Sequence, residues 1–287
     1  MAEQITAPGV YNLPAAEYHA DPVEGGSLSS SGARLLLPPS CPAAFRYWAD
    51  HPEKPKDIYD FGHVAHRLVL GRGAEIAEVK ADDWRTNLAK KAKADAHAAG
   101  LTPILTKDLD RAKAMAAAVR EHRWAKFLFD PGYGQPEQTL VYQDPATGVW
   151  RRAMLDWLGV KAGSRLVIPD YKTCESAAPD AVQRAIASYG YHLQGDWYVD
   201  LVKALGLAED AVFVLCFQEK DPPHLINLVS PDPVAMRIGR QRNREALERY
   251  RDCVESGRWP GYGDEDTEVP WVSLPPWIER QYETESW

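Results

Sequence analysis

The chain has 287 residues, 45% of them hydrophobic and 26% charged, with 41 acidic against 33 basic residues and a formal net charge of −8. This length buries a core readily, the composition is that of an ordinary globular protein, and no apolar run approaches the roughly 18–20 residues of a membrane span. The acidic balance excludes a broadly basic nucleic-acid-binding surface, but not a local basic groove beside an acidic metal site.

Residues 9–19, GVYNLPAAEYH, read as a short strand and turn. SLSSSGARLLL then begins a helix with Ser29 or Ser30 as N-cap, and Pro38-Pro39 stops it. Pro42 suits the first turn of a second helix, PAAFRYWAD. A third is expected from Ile58 to Leu70, ending at Gly71, with His63 as an ordinary helix residue and His66 inside the apolar pattern. Residues 85–123, rich in Ala and Lys, are a polar insert of helical composition with a break at Gly100-Leu-Thr-Pro103, and within it KAKADAHAAG is expected as an exposed helix.

From Gln138 the period changes to two: QTLVYQD, a turn at Thr147-Gly148, then VWRRAMLDWL. Pro179 opens a helical region to about Leu205, interrupted at Gly190. AVFVLCFQ and HLINLVS read as strands either side of Pro222-Pro223, and Asp232 to Glu255 is amphipathic and helical. The last thirty residues are expected to lie extended on the domain, because Trp259, Trp271 and Trp277 call for burial. This order predicts an α/β fold with a central mixed sheet flanked by helices. One domain spanning 1–287 is expected, with a helical part at about 1–130, a sheet core at about 131–230, and a C-terminal helix and tail at 231–287.

Cys41, Cys174, Cys216 and Cys253 stand apart without CxxC spacing. Reduced thiols in a cytoplasm are expected, not a cysteine-built zinc or iron-sulfur site. MAEQITAPGVY has no basic flank before an apolar run, so no secretory signal is expected.

The stretch from Met154 to Thr173 carries the chemistry. MLDWLGV and RLVIPDY flank a KAGS turn and read as a β-hairpin with Gly163 in its tip. Asp156 stands in the first apolar run and Asp170 in the second, and strand alternation puts Lys172 on the same side as Asp170. Two carboxylates and an ammonium in a sheet are costly unless they pair or bind a metal. For an isolated DxK an ion pair is the ordinary reading; the flanking residues change it. His66 lies on a helix in the form Gly62-His-Val-Ala-His66, Glu137 at the start of the first long strand, and Gln194 and Tyr198 four apart on one helical face.

In this order, GxxxH, an aspartate, DxK and QxxxY, the set resembles the RecB-like group of the PD-(D/E)xK nuclease superfamily. With SLSSS, CPAAFRYW, YGYHLQGDWY, FQEKDPP, WPGYG and LPPW it is similar to phage recombination exonucleases of the RecE (exonuclease VIII) type, over nearly the whole chain outside 85–123. The resemblance implies a restriction-endonuclease-like fold and a Mg²⁺-dependent 5′-to-3′ exonuclease on double-stranded DNA ends, with Mn²⁺ an accepted substitute. It also implies 3′ tails for recombination, a single-strand annealing protein as partner, a ring-like trimer or tetramer, and phage or prophage origin in a bacterial cytoplasm.

Mg²⁺ takes carboxylate oxygens and keeps several waters, so Asp156 and Asp170 are the expected ligands. The resemblance adds His66 as a ligand, where a lone helical histidine is ordinarily a hydrogen-bonded core residue. Lys172 is expected to act on the attacking water or on developing charge, and also balances the aspartates. Glu137 is either a further acid of the site or a plain strand-end residue. The resemblance places Gln194 and Tyr198 at the DNA backbone or as braces of the site. Arg152, like Arg151, is either a phosphate contact or an exposed strand arginine, and Met154 departs from the basic residue many relatives carry nearby. A related nuclease with single-strand or endonuclease activity, or an idle DNA-binding or assembly protein of the same fold, remains the alternative.

Overall fold

The computed structural model describes residues 4–51, 60–159, 161–162, 165–264 and 268–282. In chain order the elements are β1 (Gly9–Tyr11), α1 (Ala15–His19), β2 (Leu28–Ser29), α2 (Ser30–Leu35), α3 (Pro42–Asp50) and α4 (Asp60–Leu70). Then come β3 (Ile76–Val79), α5 (Asn87–Ala98), β4 (Thr102–Leu105), α6 (Thr106–Glu121), α7 (Ala125–Leu128), β5 (Gly134–Gln143), β6 (Trp150–Gly159), β7 (Lys161–Ala162) and β8 (Arg165–Cys174). The chain continues through α8 (Pro179–Tyr189), α9 (Tyr191–Ala204), β9 (Asp210–Glu219), β10 (Ile226–Val229), α10 (Pro233–Ser256) and α11 (Pro276–Tyr282).

The helix boundaries follow local chemistry. Ser29 caps α2 by accepting the Gly32 N–H (3.2 Å), prolines open α3, α8 and α10, and Gly190 in the left-handed region (φ 70°) ends α8 where α9 begins.

Two four-stranded mixed sheets form the centre. One has the order β1-β5-β6-β2, antiparallel except for β2 against β6; the other is β10-β9-β8-β7, with β8 and β9 parallel over ten residue pairs. Parallel neighbours require a crossover, and α8 with α9 supplies it. One core cluster lies beneath α2, α9 and α10, around Leu36, Leu155, Ile168, Trp197 and Phe213. A second joins α4 and α6 to the sheets through Val64, Met115, Trp157, Tyr171 and Cys216. β6 and β8 each contribute to both clusters, so the two aspartates sit where the layers meet. Among the described residues no helix is long and apolar enough to cross a membrane.

Four expectations change. The long strands flanking residues 160–164 do not pair as a hairpin: β6 ladders with β5, β8 with β9, and only Lys161-Ala162 pairs back on Arg165-Leu166. On the edge of β8 that faces β6, Pro169 has no N–H to give and the Tyr171 N–H goes to the Asp156 carboxylate, so side chain replaces ladder. Gly163 and Ile58, which the sequence places in a turn and at a helix start, lie outside the described residues.

The break at 100–103 opens a strand, β4, parallel to β3; α5, which carries KAKADAHAAG, is exposed as expected apart from Ala89 and Ala96, whereas α6 is part of the core and buries Leu109, Ala112, Met115, Ala116 and Val119. Small residues at helical spacing pack closely there, which an Ala- and Lys-rich composition conceals. Glu137 does not start its strand but stands three residues into β5. Of the tail, only its beginning is packed. Trp259 stacks on Phe45 and Tyr262 donates to the Pro39 carbonyl (2.8 Å), whereas Trp271 is fully exposed and Trp277 more than half exposed.

Candidate active site

β8 projects Asp170 and Lys172 to one side, as its alternation requires, and Lys172 Nζ lies 2.5 Å from Asp170 Oδ2. The Asp170 side chain is 1% exposed and forms the floor; that of Lys172 is 23% exposed and reaches the opening. Asp156 enters from β6, its Oδ2 accepting the Tyr171 N–H at 2.8 Å. Both carboxylates are therefore held by the backbone of one strand.

α9 closes the site from behind. Gln194 donates through Nε2 to Asp170 Oδ1 and to Tyr198 Oη, both at 2.9 Å, and Tyr198 in turn donates to the Met154 carbonyl (3.1 Å). One glutamine thus fixes the rotamer of the buried carboxylate, and the tyrosine one turn on ties α9 to β6. At the mouth the Tyr191 ring lies 5.2 Å from Lys172 Nζ.

α4 brings His66. The fully buried Val64 and Ala65 lock this helix into the second core cluster, and the neighbouring His66, its side chain 26% exposed, places Nε2 3.2 Å from Asp156 Oδ1. Glu137 Oε1 lies 4.0 Å from His66 Nδ1 and Oε2 3.3 Å from Arg72 Nε. Glu137 faces Asp156 in the β5–β6 register, at a backbone φ of 47° that interrupts the pairing. A non-glycine residue in that region is uncommon.

The electrostatics split the carboxylates. Burial raises the Asp170 carboxyl, the Asp156 charge raises it further, and Lys172 only partly offsets them, leaving it at about 6. Burial would also raise Asp156, but the charge and hydrogen bond of His66, then Lys172 and the Tyr171 N–H, pull it down to about 2. His66 is lowered by burial and raised more by Asp156 and Glu137, with a net rise. Burial would lower Lys172, yet Asp170 and Asp156 raise it overall, so the ammonium stays protonated.

This pattern suits a divalent cation. Asp170 Oδ2 is buried beside the Lys172 ammonium but has no well-directed hydrogen bond, and burial together with the Asp156 charge leaves the Asp170 carboxyl raised although Lys172 stands beside it, so further positive charge would be welcome there. The donors are hard oxygens on different strands, as Mg²⁺ or Mn²⁺ prefers. Asp156 and Asp170 would hold the ion. Among the described residues no group of three or more His, Cys, Asp or Glu side chains is placed as a finished ligand set. In this arrangement His66 is the hydrogen-bond partner of Asp156.

Two expected DNA contacts turn inward. Arg152 is buried, donating to the Ser27 carbonyl (2.7 Å) and Oγ (2.8 Å) and pairing with Asp21 (2.9 Å), so it is spent in tying β2 to β6. Arg151 is equally buried and pairs with Asp200 at 2.5 Å. Inward-facing strand positions leave these guanidinium groups no route to phosphate. Tyr198 is 7% exposed and braces rather than contacts. Sequence reasoning missed Tyr191 beside Lys172 and Arg72 beside Glu137. Tyr191 opens the helix of Gln194 and could have been placed by that spacing; Arg72 follows the turn after α4 and carries no signal.

The PDDEXK-like domain of unknown function DUF3799 matches residues 33–268. The crystal structure of a "putative exonuclease" from Eubacterium rectale superposes with a TM-score of 0.61 at 12% identity, covering 96% of this chain and all of that one. At that identity the likeness is one of fold. No curated protein matches the sequence.

Proposed function

From the premise that the chain belongs to the PDDEXK-like family DUF3799, we infer that it is a Mg²⁺-dependent deoxyribonuclease that degrades linear double-stranded DNA from its ends. The observation that carries the reading is the grouping of Asp156, Asp170 and Lys172 at one opening, with Gln194 locking the innermost carboxylate. An idle scaffold has no use for three charges that cost free energy to bury.

A bound Mg²⁺ supplies positive charge to a phosphodiester and lowers the proton affinity of a water. The chain's own groups do the rest. Asp170 and Asp156 fix where phosphate and water are presented. Lys172 enters protonated, so its first role is to stabilise charge developing on the scissile phosphate. His66 holds the orientation of Asp156, with Glu137 behind it. The 5′-to-3′ polarity, the 3′ tails for recombination, an annealing partner, a ring-like homo-oligomer and a bacterial cytoplasm with phage or prophage DNA are supported by the ordered motifs and their flanks.

The test compares linear with covalently closed circular duplex, with Mg²⁺ or with chelator. Linear duplex should be digested only with the metal and the circle left intact. Nicking of the circle at a similar rate would replace the end-dependent reading with an endonuclease.

A further inference from the structure

Away from the carboxylates, the junction of α6, α7 and β5 turns aromatic rings outward. Ala125 and Phe129, four apart, are buried, with Phe129 edge-on to both Trp157 and Tyr171 (ring centres 6.1 Å apart in each pair). This anchors the short α7 and leaves Trp124, Lys126 and Phe127 facing water. His122 Nδ1 accepts the Trp124 and Ala125 N–H groups (3.3 and 3.1 Å), and Asp130 accepts the Gly132 N–H (2.8 Å), so the turns on both sides of α7 are fixed. The second turn sets Tyr133 edge-on to Phe127, ring centres 6.2 Å apart. Trp124, Phe127 and Tyr133 are each about half exposed, and a contiguous group of large rings at the surface marks a binding face more often than not.

Cations stand beside these rings. The Arg123 guanidinium lies 4.6 Å from the centre of the Trp124 ring and Lys126 Nζ 4.9 Å from that of Phe127. Both side chains are exposed, and among the described residues no acid lies in ion-pair range of either. The tail also exposes rings, Trp271 and Trp277, but its stretch carries Glu268, Glu279 and a single arginine, Arg280. Lysine is depleted at protein interfaces, so Lys126 among half-exposed rings argues against a second protein chain as the occupant here. An unpaired nucleotide presents a flat base and an anionic phosphate together, the complement of a ring with a cation beside it.

We propose that Trp124, Phe127 and Tyr133, with Arg123 and Lys126, form a platform for single-stranded DNA, its bases on the rings and its phosphates on the cations. The platform is tied to both elements that meet at His66. Arg120, in the last turn of α6, donates to the Leu68 carbonyl of α4 (2.9 Å), two residues past His66, and Tyr133 runs into β5 four residues before Glu137. That the strand is DNA, left unpaired as its complement is degraded, rests on the nuclease reading. Base faces inside a duplex are already stacked, so this surface guides the product strand and adds nothing to the hold on the substrate duplex.

The experiment is fluorescence anisotropy, in chelator, of a labelled oligothymidylate of about a dozen residues and of an abasic strand of the same length. The proteins are wild type, Trp124→Ala/Tyr133→Ala and Arg123→Ser/Lys126→Ser, with folding checked by circular dichroism. Oligothymidylate is expected to bind wild type at least about tenfold more tightly than the abasic strand, and to lose that advantage in the ring variant, since each stacked base is a factor of about that order. An equal mass of relaxed closed circular duplex should not displace it. The cation variant should lower the slope of log affinity against log salt by about 1.4, two phosphate contacts at about 0.7 each. Equal binding of the abasic strand, displacement by the circle, unchanged affinity in the ring variant, or a fall in that variant's mass by light scattering, which would make the patch a subunit interface, would overturn the proposal. If the ring variant does not fold, the abasic comparison and the cation variant decide. Strand binding by a chain that cleaves no DNA would retain the platform and remove the nuclease reading; cleavage without strand binding would do the reverse.

Discussion

At the scale of single residues, the two members of the DxK pair have separable work. Asp170 is the buried acceptor that would hold the ion, whereas Lys172 is held protonated by Asp170 and Asp156 and stands at the opening. Asp170→Ala should therefore abolish both Mn²⁺ binding and cleavage, while Lys172→Ala should lower cleavage by about 10²-fold or more and leave metal binding largely intact. Calorimetric titration of Mn²⁺ into each variant decides it, because equal loss in both would reduce Lys172 to a counter-ion. Gln194 touches no reacting atom in this geometry; it acts through Asp170. Gln194→Leu should cost about 10- to 100-fold in metal affinity, with Tyr198→Phe milder since it removes the hydroxyl's bonds to Gln194 and the Met154 carbonyl but leaves the Gln194–Asp170 bond in place. If Gln194→Leu cuts cleavage without altering metal affinity, the glutamine instead faces substrate. Alternation put Asp170 and Lys172 on one side of a strand and helical spacing put Gln194 and Tyr198 on one face of a helix, and the resemblance to RecB-like nucleases joined them as a set. They could not tell a contact from a brace, because burial of Tyr198 and Arg152 depends on residues far away in sequence, Met154 and Ser27 among them.

At the scale of elements, Asp144 shows how a turn and a helix are joined. It accepts from the Thr147 N–H and Oγ1 to shape the β5–β6 turn, then takes the bidentate Arg244 fork of α10. Burial would raise its carboxyl, but Arg244 first and Thr147 next bring it down to about 2. A depressed carboxylate stabilises the fold fully above its unfolded value near 4 and loses that contribution as pH falls toward 2. Thermal unfolding should thus show wild type losing more stability than Arg244→Met between about pH 4 and 2, with the two curves parallel above pH 5. Parallel curves throughout would mean that the pair contributes nothing specific. The turn itself, Thr147-Gly148, was legible; its clamp to a helix a hundred residues on was not. The same limit explains the hairpin that is not one. Local pattern found both strands, but their pairing partners, β5 and β9, are chosen by edges that only the assembled sheets present. It explains α6 too, where alanines that carry no apolar signal in isolation become contact residues once α4 lies against them.

At the scale of the whole molecule, the exposed tail and the net charge bear on one question, how the protein would stay on DNA. A chain of net charge −8 has little long-range hold on a duplex, and non-specific binding built on lysine–phosphate contacts typically has a Kd of about 10⁻⁴ to 10⁻⁶ M. The two strand arginines that might have added contacts are buried in internal pairs. Remaining bound over many cleavage events then calls for enclosure rather than affinity, and a closed ring of head-to-tail subunits supplies it. The segment after Tyr262 offers apolar groups to such an interface: Val269, Trp271 and Val272 are almost wholly exposed, and Trp277 and Tyr282 on α11 mostly so. Side chains of this kind are enriched at interfaces and costly to leave in water. Light scattering at working concentration should give a trimer or tetramer, and Trp271→Ser/Trp277→Ser should shift it toward monomer. In the presence of trap DNA that same variant should release long duplexes after shorter tracts, while its cleavage of short duplexes in excess enzyme stays near wild type. A monodisperse wild-type monomer that digests long duplex processively past the trap would end the enclosure argument, and would place the hold on DNA in a basic clamp beside the catalytic opening.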